Sequence, residues 1–341
     1  MISCAINPDA KKIWQPSDGK VVQNISPALY YSKIISHGMQ VPIDLVRVVD
    51  DDRSSDQWPP ERRARMQELT DLMLTTITYD YEGTQWRPNS HSRVSMSGGS
   101  VVSFAKSAVK NLDNKAVVID DPDLTPTDYA EIIKNAKVPV VFAKPSNQLR
   151  GDTILLIHDS TTEGLDCFER AAEFAVNAFV GNGFHISVAC LYDENKYPSN
   201  DPRTPQWKSE IKDLERRQSQ KILPKMTAIP QKHRNAASEI KTPPVKFGRF
   251  EDMHRDRLAD IARLTSRANA LDEAIGFADG NPKYFAFHDT ELLKCRDIKT
   301  LSTVMDNMRV RAAIFCRPCF DSPAFQKMNL GFPSATIIVV P

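Results

Sequence analysis

Apolar positions recur along this chain in two rhythms. Short β-branched runs alternate with longer stretches that are apolar at every third or fourth position. The short runs read as buried strands and the longer ones as amphipathic helices. In the first part of the chain the predicted strands are Ile2–Ile6, Ile43–Val49, Val94–Met96, Ala116–Ile119 and Val140–Ala143. The helices between them have clear openings. Ser26-Pro27 opens one that carries Leu29, Tyr30, Ile34 and Ile35 and closes at His37-Gly38. Pro59-Pro60 opens a longer one with Met66, Leu69, Leu72, Met73 and Ile77 on one face. Val101–Val109 is a third, and Thr125-Pro126 opens a fourth that runs to Lys137. Proline at a first helical position and glycine near a helix end are the usual signals. Strands that alternate with helices predict a mostly parallel sheet covered on both faces, since a parallel connection needs a crossover.

After a short linker over 147–152 the pattern restarts. Strands are predicted at Thr153–Ile157, Ile186–Leu191, Tyr284–Phe287, Ala312–Phe315 and Thr336–Val340. Helices are predicted at Leu165–Val180, over 251–277 and at Glu291–Met308. The stretches Lys115–Pro145 and Arg311–Pro341 align without a gap at a constant offset of 196, each closing on an apolar run and a proline. Internal repetition of this kind points to duplication. Each half keeps the same order of elements, and the length differences fall in connections, where insertions are tolerated. The largest is a gain of 49 residues between the second and third strands of the second half, at about 196–249. The reading is two α/β modules, 1–146 and 153–341, each a Rossmann-like unit with a five-stranded, mostly parallel sheet.

Composition adds limits. A chain of 341 residues, 41% apolar and 26% charged, suits two ordinary globular domains. The formal net charge of +1 excludes a strongly basic or acidic protein as a whole, but it hides an uneven distribution. Residues 196–249 hold 13 Lys/Arg against 5 Asp/Glu and are rich in proline. That segment reads as a solvated excursion with one short helix, Gln206–Leu223. An acidic partner or nucleic acid is the functional alternative, weakened by the absence of regular aromatic interleaving. No leader precedes the strand at Ile2 and no apolar run approaches a bilayer span, so no membrane association and a reducing, cytoplasmic setting are expected. The six cysteines are then free thiols, with Cys4, Cys190 and Cys316 packing as small hydrophobes in strand-like runs. No Walker loop, Gly-x-Ser-x-Gly elbow or His-Glu-x-x-His helix occurs, and nothing supports hydrolytic catalysis.

With both halves laid out, the chain resembles the universal stress protein family in tandem form. In the first half the resemblance rests on SMSGGSVVSFAKSAVKNLDNKAVVIDD and AKVPVVFAKP. In the second it rests on TILLIHDSTTEGLDCFERAAEFAVNAF and PSATIIVVP. It implies a sheet of strand order 3-2-1-4-5 in each module. It also implies pairing of the modules through their fifth strands as an internal pseudo-dimer, along Val140, Val141 and Phe142 and along Ile337, Ile338 and Val339.

The resemblance also says where ATP-binding members hold nucleotide. They place an Asp after strand one and a glycine-rich loop after strand four. Glycines there let backbone N–H groups approach phosphate. The first half departs from this, with Asn7 after strand one and Asp120, Asp121 and Asp123, without glycine, after strand four. Carboxylates at that point repel phosphate; a metal site made by them is the other reading, and a strand end with a turn is the simpler one. The second half keeps Asp159, preceded by His158, but has Cys316-Arg317-Pro318-Cys319 in place of the loop. Arg317 could meet a phosphate bidentately, so Asp159, His158 and Arg317 are the candidate ATP/AMP contacts. Cys316-x-x-Cys319 is also a thiol-redox spacing, while a zinc site would need further thiolates.

Three readings stand. One is a universal-stress-protein-like binding or regulatory protein that acts on a protein partner, with no cofactor and without turnover. The second is a nucleotide sensor using only the second module. The third is thiol redox activity at Cys316 and Cys319.

Overall fold

The structure is a computed structural model of the whole chain. It describes residues 1–6, 27–49, 57–64, 67, 92–120, 124–144, 153–159, 162–179, 182, 184–191, eight positions between 202 and 228, 230–241, 249–275, 277–278, 281–282, 285–287, 310–321 and 335–341. Its strands are β1 (Ile2–Ile6), β2 (Ile43–Val49), β3 (Arg93–Gly98), β4 (Ala116–Asp120), β5 (Val140–Ala143), β6 (Thr153–Asp159), β7 (His185–Leu191), β8 (Phe277–Ala278), β9 (Asn281–Pro282), β10 (Phe285–Phe287), β11 (Val310–Cys316) and β12 (Thr336–Val340). Its helices are α1 (Pro27–Met39), α2 (Val101–Ala108), α3 (Pro126–Asn135), α4 (Thr162–Phe179), α5 (Arg249–Ile275) and α6 (Pro318–Asp321).

Ten strands form one sheet in the order β10-β7-β6-β11-β12-β5-β4-β1-β2-β3, and β8 and β9 make a separate two-stranded ribbon. The fold is mixed α/β. Every pairing in the large sheet is parallel except β12 with β5, which is antiparallel. At that seam Ile337 lies opposite Phe142, Ile338 opposite Val141 and Val339 opposite Val140. All six side chains are fully buried. The central strands read as unbroken apolar runs because helices cover a parallel sheet on both faces, whereas edge strand β3 is partly exposed. Helix α1 packs on β1, β4 and β5, and helices α2 and α3 pack against each other.

The core is continuous across the seam, with Phe142, Phe168, Phe179 and Phe315 its largest fully buried side chains. Helices α1 and α4 pack against each other on the same face. A Cβ at Gly38 would stand 2.3 Å from the carbonyl oxygen of Ala178 and 2.6 Å from that of Asn177. Asn182 ties the two helices together, donating to Ile34 O at 3.0 Å and Ala178 O at 2.8 Å while its own oxygen lies 2.6 Å from His37 Nδ1. Further along α1, Tyr31 donates to Arg311 O at 3.0 Å and Arg311 donates to the Tyr30 hydroxyl at 3.3 Å.

Several boundaries differ from the sequence reading. Gly38 does not close α1; it is a helical residue that lets α4 approach. The helix ends at Met39, and the next residue, Gln40, takes a positive φ of 56° and donates to His37 O. Strand β11 runs Val310–Cys316, longer at both ends than the predicted Ala312–Phe315, and takes in the Cys316 thiol that was read as strand-like. Helix α5 stops at Ile275, and Phe277 begins the ribbon. Residues 230–239 are helical within the basic segment, where only Gln206–Leu223 was expected to be. Most of the helix opened by Pro59-Pro60, all of Glu291–Met308, the linker and Asn7, Asp121 and Asp123 lie outside the described residues. Among the described residues, no helix is long and apolar enough to cross a membrane.

Helix α3 starts as its sequence signals. Thr125 is the N-cap, Pro126 the first helical residue, and Asp128 completes a capping box. The Asp128 N–H donates to Thr125 Oγ1 at 3.3 Å, and the Thr125 hydroxyl and N–H donate to the Asp128 carboxylate at 2.6 and 3.0 Å. Those bonds, the side-chain one first, hold the Asp128 carboxyl below its ordinary value of 3.8. Thr125→Ala should cost about 1 kcal/mol in chemical denaturation. Because the folded-state value is depressed, the cap's contribution is present above the ordinary value and is lost as pH falls through the lower, folded one. The gap in Tm between wild type and Asp128→Asn should therefore narrow below about pH 4.

Candidate functional site

In an open α/β sheet, ligands bind beyond the carboxyl ends of the strands, where the strand order reverses. Here that is between β1 and β4 in the first half and between β6 and β11 in the second.

In the first half, β4 ends on Asp120, which is buried. Its Oδ1 accepts the N–H of Ala28, in the first turn of α1, at 2.9 Å. A helix N-terminus carries unsatisfied N–H groups and a partial positive charge. That favours an anion, and here a carboxylate of the chain itself fills the role. Asp120 was read as a strand end beside a turn; it also caps a helix 92 residues away in sequence.

In the second half the candidate residues separate. His158 is fully buried, and its ring packs 5.0 Å from that of Phe168 on α4, tilted by 56°. It belongs to the layer between sheet and helix. Asp159 is the last residue of β6, opposite Leu191 of β7, and its side chain lies outside the described residues. Arg317 follows β11 directly. Its backbone N–H donates to Val340 O at 2.9 Å, and its guanidinium donates to Lys134 O at 3.1 Å. Lys134 lies in the last turn of α3, where carbonyls lack intrahelical partners and a cation is favoured. Arg317 thus links the second half to a helix end of the first.

Cys316 and Cys319 are both fully buried, as is a third thiol, Cys167 of α4. Cys167 donates to Val340 O at 3.2 Å, whereas Cys319 points to Ile157 O at 3.7 Å. The Cys316 thiol donates to Cys167 and holds its sulfur below the ordinary thiol value. Burial opposes this, while the Arg317 N–H and the Arg170 guanidinium add to it. The contrast is Cys4, also fully buried, whose thiol is pushed far up by desolvation. Sequence reasoning missed Cys167. The signal was its place in a helical stripe, Gly164, Cys167, Phe168, Ala171, Ala175 and Phe179, that faces the sheet.

Among the described residues, no three His, Cys, Asp or Glu side chains are grouped to hold a metal ion. In the basic segment, Arg216 pairs with Asp213 at 3.0 Å, and Arg234 pairs with Asp272 of α5 and donates to Asn269.

No protein-family profile matches the chain, and no curated protein matches it. Solved structures do. A protein of unknown function from Pseudomonas aeruginosa PAO1 is 11% identical with a TM-score of 0.46, over 99% of this chain and 91% of its own. A universal stress protein from Archaeoglobus fulgidus DSM 4304 is 11% identical with a TM-score of 0.41, over 99% of this chain and 95% of its own. At these scores the likeness carries over neither activity nor ligand, and the strand order above is what describes the fold.

Proposed function

We propose that this protein is a universal-stress-protein-like binding or regulatory protein, built as two modules in an internal pseudo-dimer, that does not take ATP in the manner of the family's nucleotide-binding members. The two halves of the sheet have mirrored strand orders about the β5–β12 seam, which supports the pseudo-dimer. The observation that carries the binding side of the reading is the Asp120 carboxylate on the N-terminus of α1. A phosphate brought there would meet a buried negative charge already hydrogen-bonded to the helix. In the second half, Arg317 is the basic group nearest the end of β11 in sequence, and it is engaged on Lys134 O.

The test is a calorimetric titration of the full chain with Mg-ATP and with AMP. No binding is expected at micromolar ligand. Micromolar binding abolished by Asp159→Ala would overturn the proposal and favour a nucleotide sensor working through the second half alone.

A further inference from the structure

Beside the Cys316-x-x-Cys319 spacing, the fold brings a thiol from elsewhere in the chain, Cys167, to Cys316. Strand β11 lies between β6 and β12. Cys319 turns toward the β6 side, with its thiol on Ile157 O. Cys316, the last residue of β11, stands in register with Val340 of β12. Cys167 comes down from α4 onto the same residue, 3.2 Å from Val340 O, and is hydrogen-bonded to the Cys316 thiol. Two sulfurs from elements far apart in sequence therefore converge on one strand position, while the thiol of the third, Cys319, lies on Ile157 O of β6.

We infer that Cys167 and Cys316 are the oxidisable couple of this protein, forming a disulfide between α4 and the end of β11 when hydrogen peroxide reaches them. The surroundings favour Cys167 as the attacking sulfur. The thiolate is the nucleophile, and the Cys316 thiol, the Arg317 N–H and the Arg170 guanidinium all favour its charge. The Cys167 thiolate attacks one peroxide oxygen, the O–O bond breaks and hydroxide leaves, giving a sulfenic acid. The Cys316 sulfur then displaces the hydroxyl, so an S–S bond forms as the S–O bond breaks. Two electrons and the two thiol protons pass to peroxide, which ends as two molecules of water. All three thiols are fully buried, so the reaction waits on local opening and runs more slowly than at an exposed thiol.

The experiment exposes the folded full chain to hydrogen peroxide, removes the peroxide, unfolds the chain in guanidinium chloride with N-ethylmaleimide so that every remaining thiol is alkylated, digests the protein and maps it by mass spectrometry. A cross-link between the Cys167 and Cys316 peptides, lighter by two hydrogen atoms, is expected, with alkylation lost at both sites together and retained at Cys4. Cys319→Ser should keep the link, and Cys167→Ser and Cys316→Ser should each lose it. A Cys316–Cys319 disulfide, or full alkylation of Cys167 and Cys316 after peroxide, overturns the inference. Mapping the wild-type chain decides the matter even where a variant fails to fold.

Discussion

Gly38→Ala is expected to destabilise the protein by about 3 kcal/mol, at the upper end of the usual cost of overpacking. The sign is the point. At an exposed position inside a helix the same change stabilises by about 1 kcal/mol, because glycine costs more backbone entropy. Here the added methyl would lie 2.3 Å from Ala178 O and 2.6 Å from Asn177 O. Those are backbone atoms of α4, which no rotamer change can move aside. Relief requires the two helices to separate, and separation breaks the bonds that Asn182, just past the end of α4, makes to Ile34 O and to His37 on α1. Urea denaturation should show a lower midpoint with an unchanged slope. A neutral or stabilising result would mean that α1 and α4 do not approach as closely as described.

Phe142→Ala should cost about 3–5 kcal/mol, as large aromatic truncations in packed cores do. Phe142 is fully buried in β5, opposite Ile337 of β12, and its ring packs 4.6 Å from that of Tyr129 on α3. Truncation therefore empties a space bounded by both halves. A control is Leu112→Ala, where the side chain is 67% exposed and the change should stay within about 0.5 kcal/mol. The comparison by denaturant midpoint separates the loss of packing at the seam from the loss of apolar surface in general. A Phe142→Ala effect as small as the control's would show that the seam is not part of the cooperative core.

What could be read from the sequence was whatever local pattern determines. Apolar runs with proline and threonine punctuation gave the strands and α3, because fully buried parallel strands need continuous apolar residues and helix starts need caps. What could not be read was set by partners far along the chain. Nothing local to Gly38 says that Ala178 lies against it, and a glycine near a helix end looks like a stop. Nothing local to Asp120 says that it caps α1, or to Arg317 that its guanidinium reaches Lys134. The thiols follow the same rule. Cys316-x-x-Cys319 is visible because its members are neighbours in sequence, while Cys167 joins Cys316 only through the fold. The helix over 230–239 of the basic segment went unread for a different reason. It is tied to α5 by Arg234 and Asp272, a long-range pair that composition cannot reveal.

The antiparallel seam has a consequence for mass action. When two separate chains meet edge to edge, the contact weakens on dilution. Here β5 and β12 belong to one polypeptide, so their encounter is intramolecular, with an effective concentration fixed by the connecting chain and independent of how much protein is present. The ten-stranded sheet should therefore persist at dilutions that would dissociate a two-chain equivalent. A cut within 147–152 would return the seam to concentration control and leave each fifth strand as an open edge.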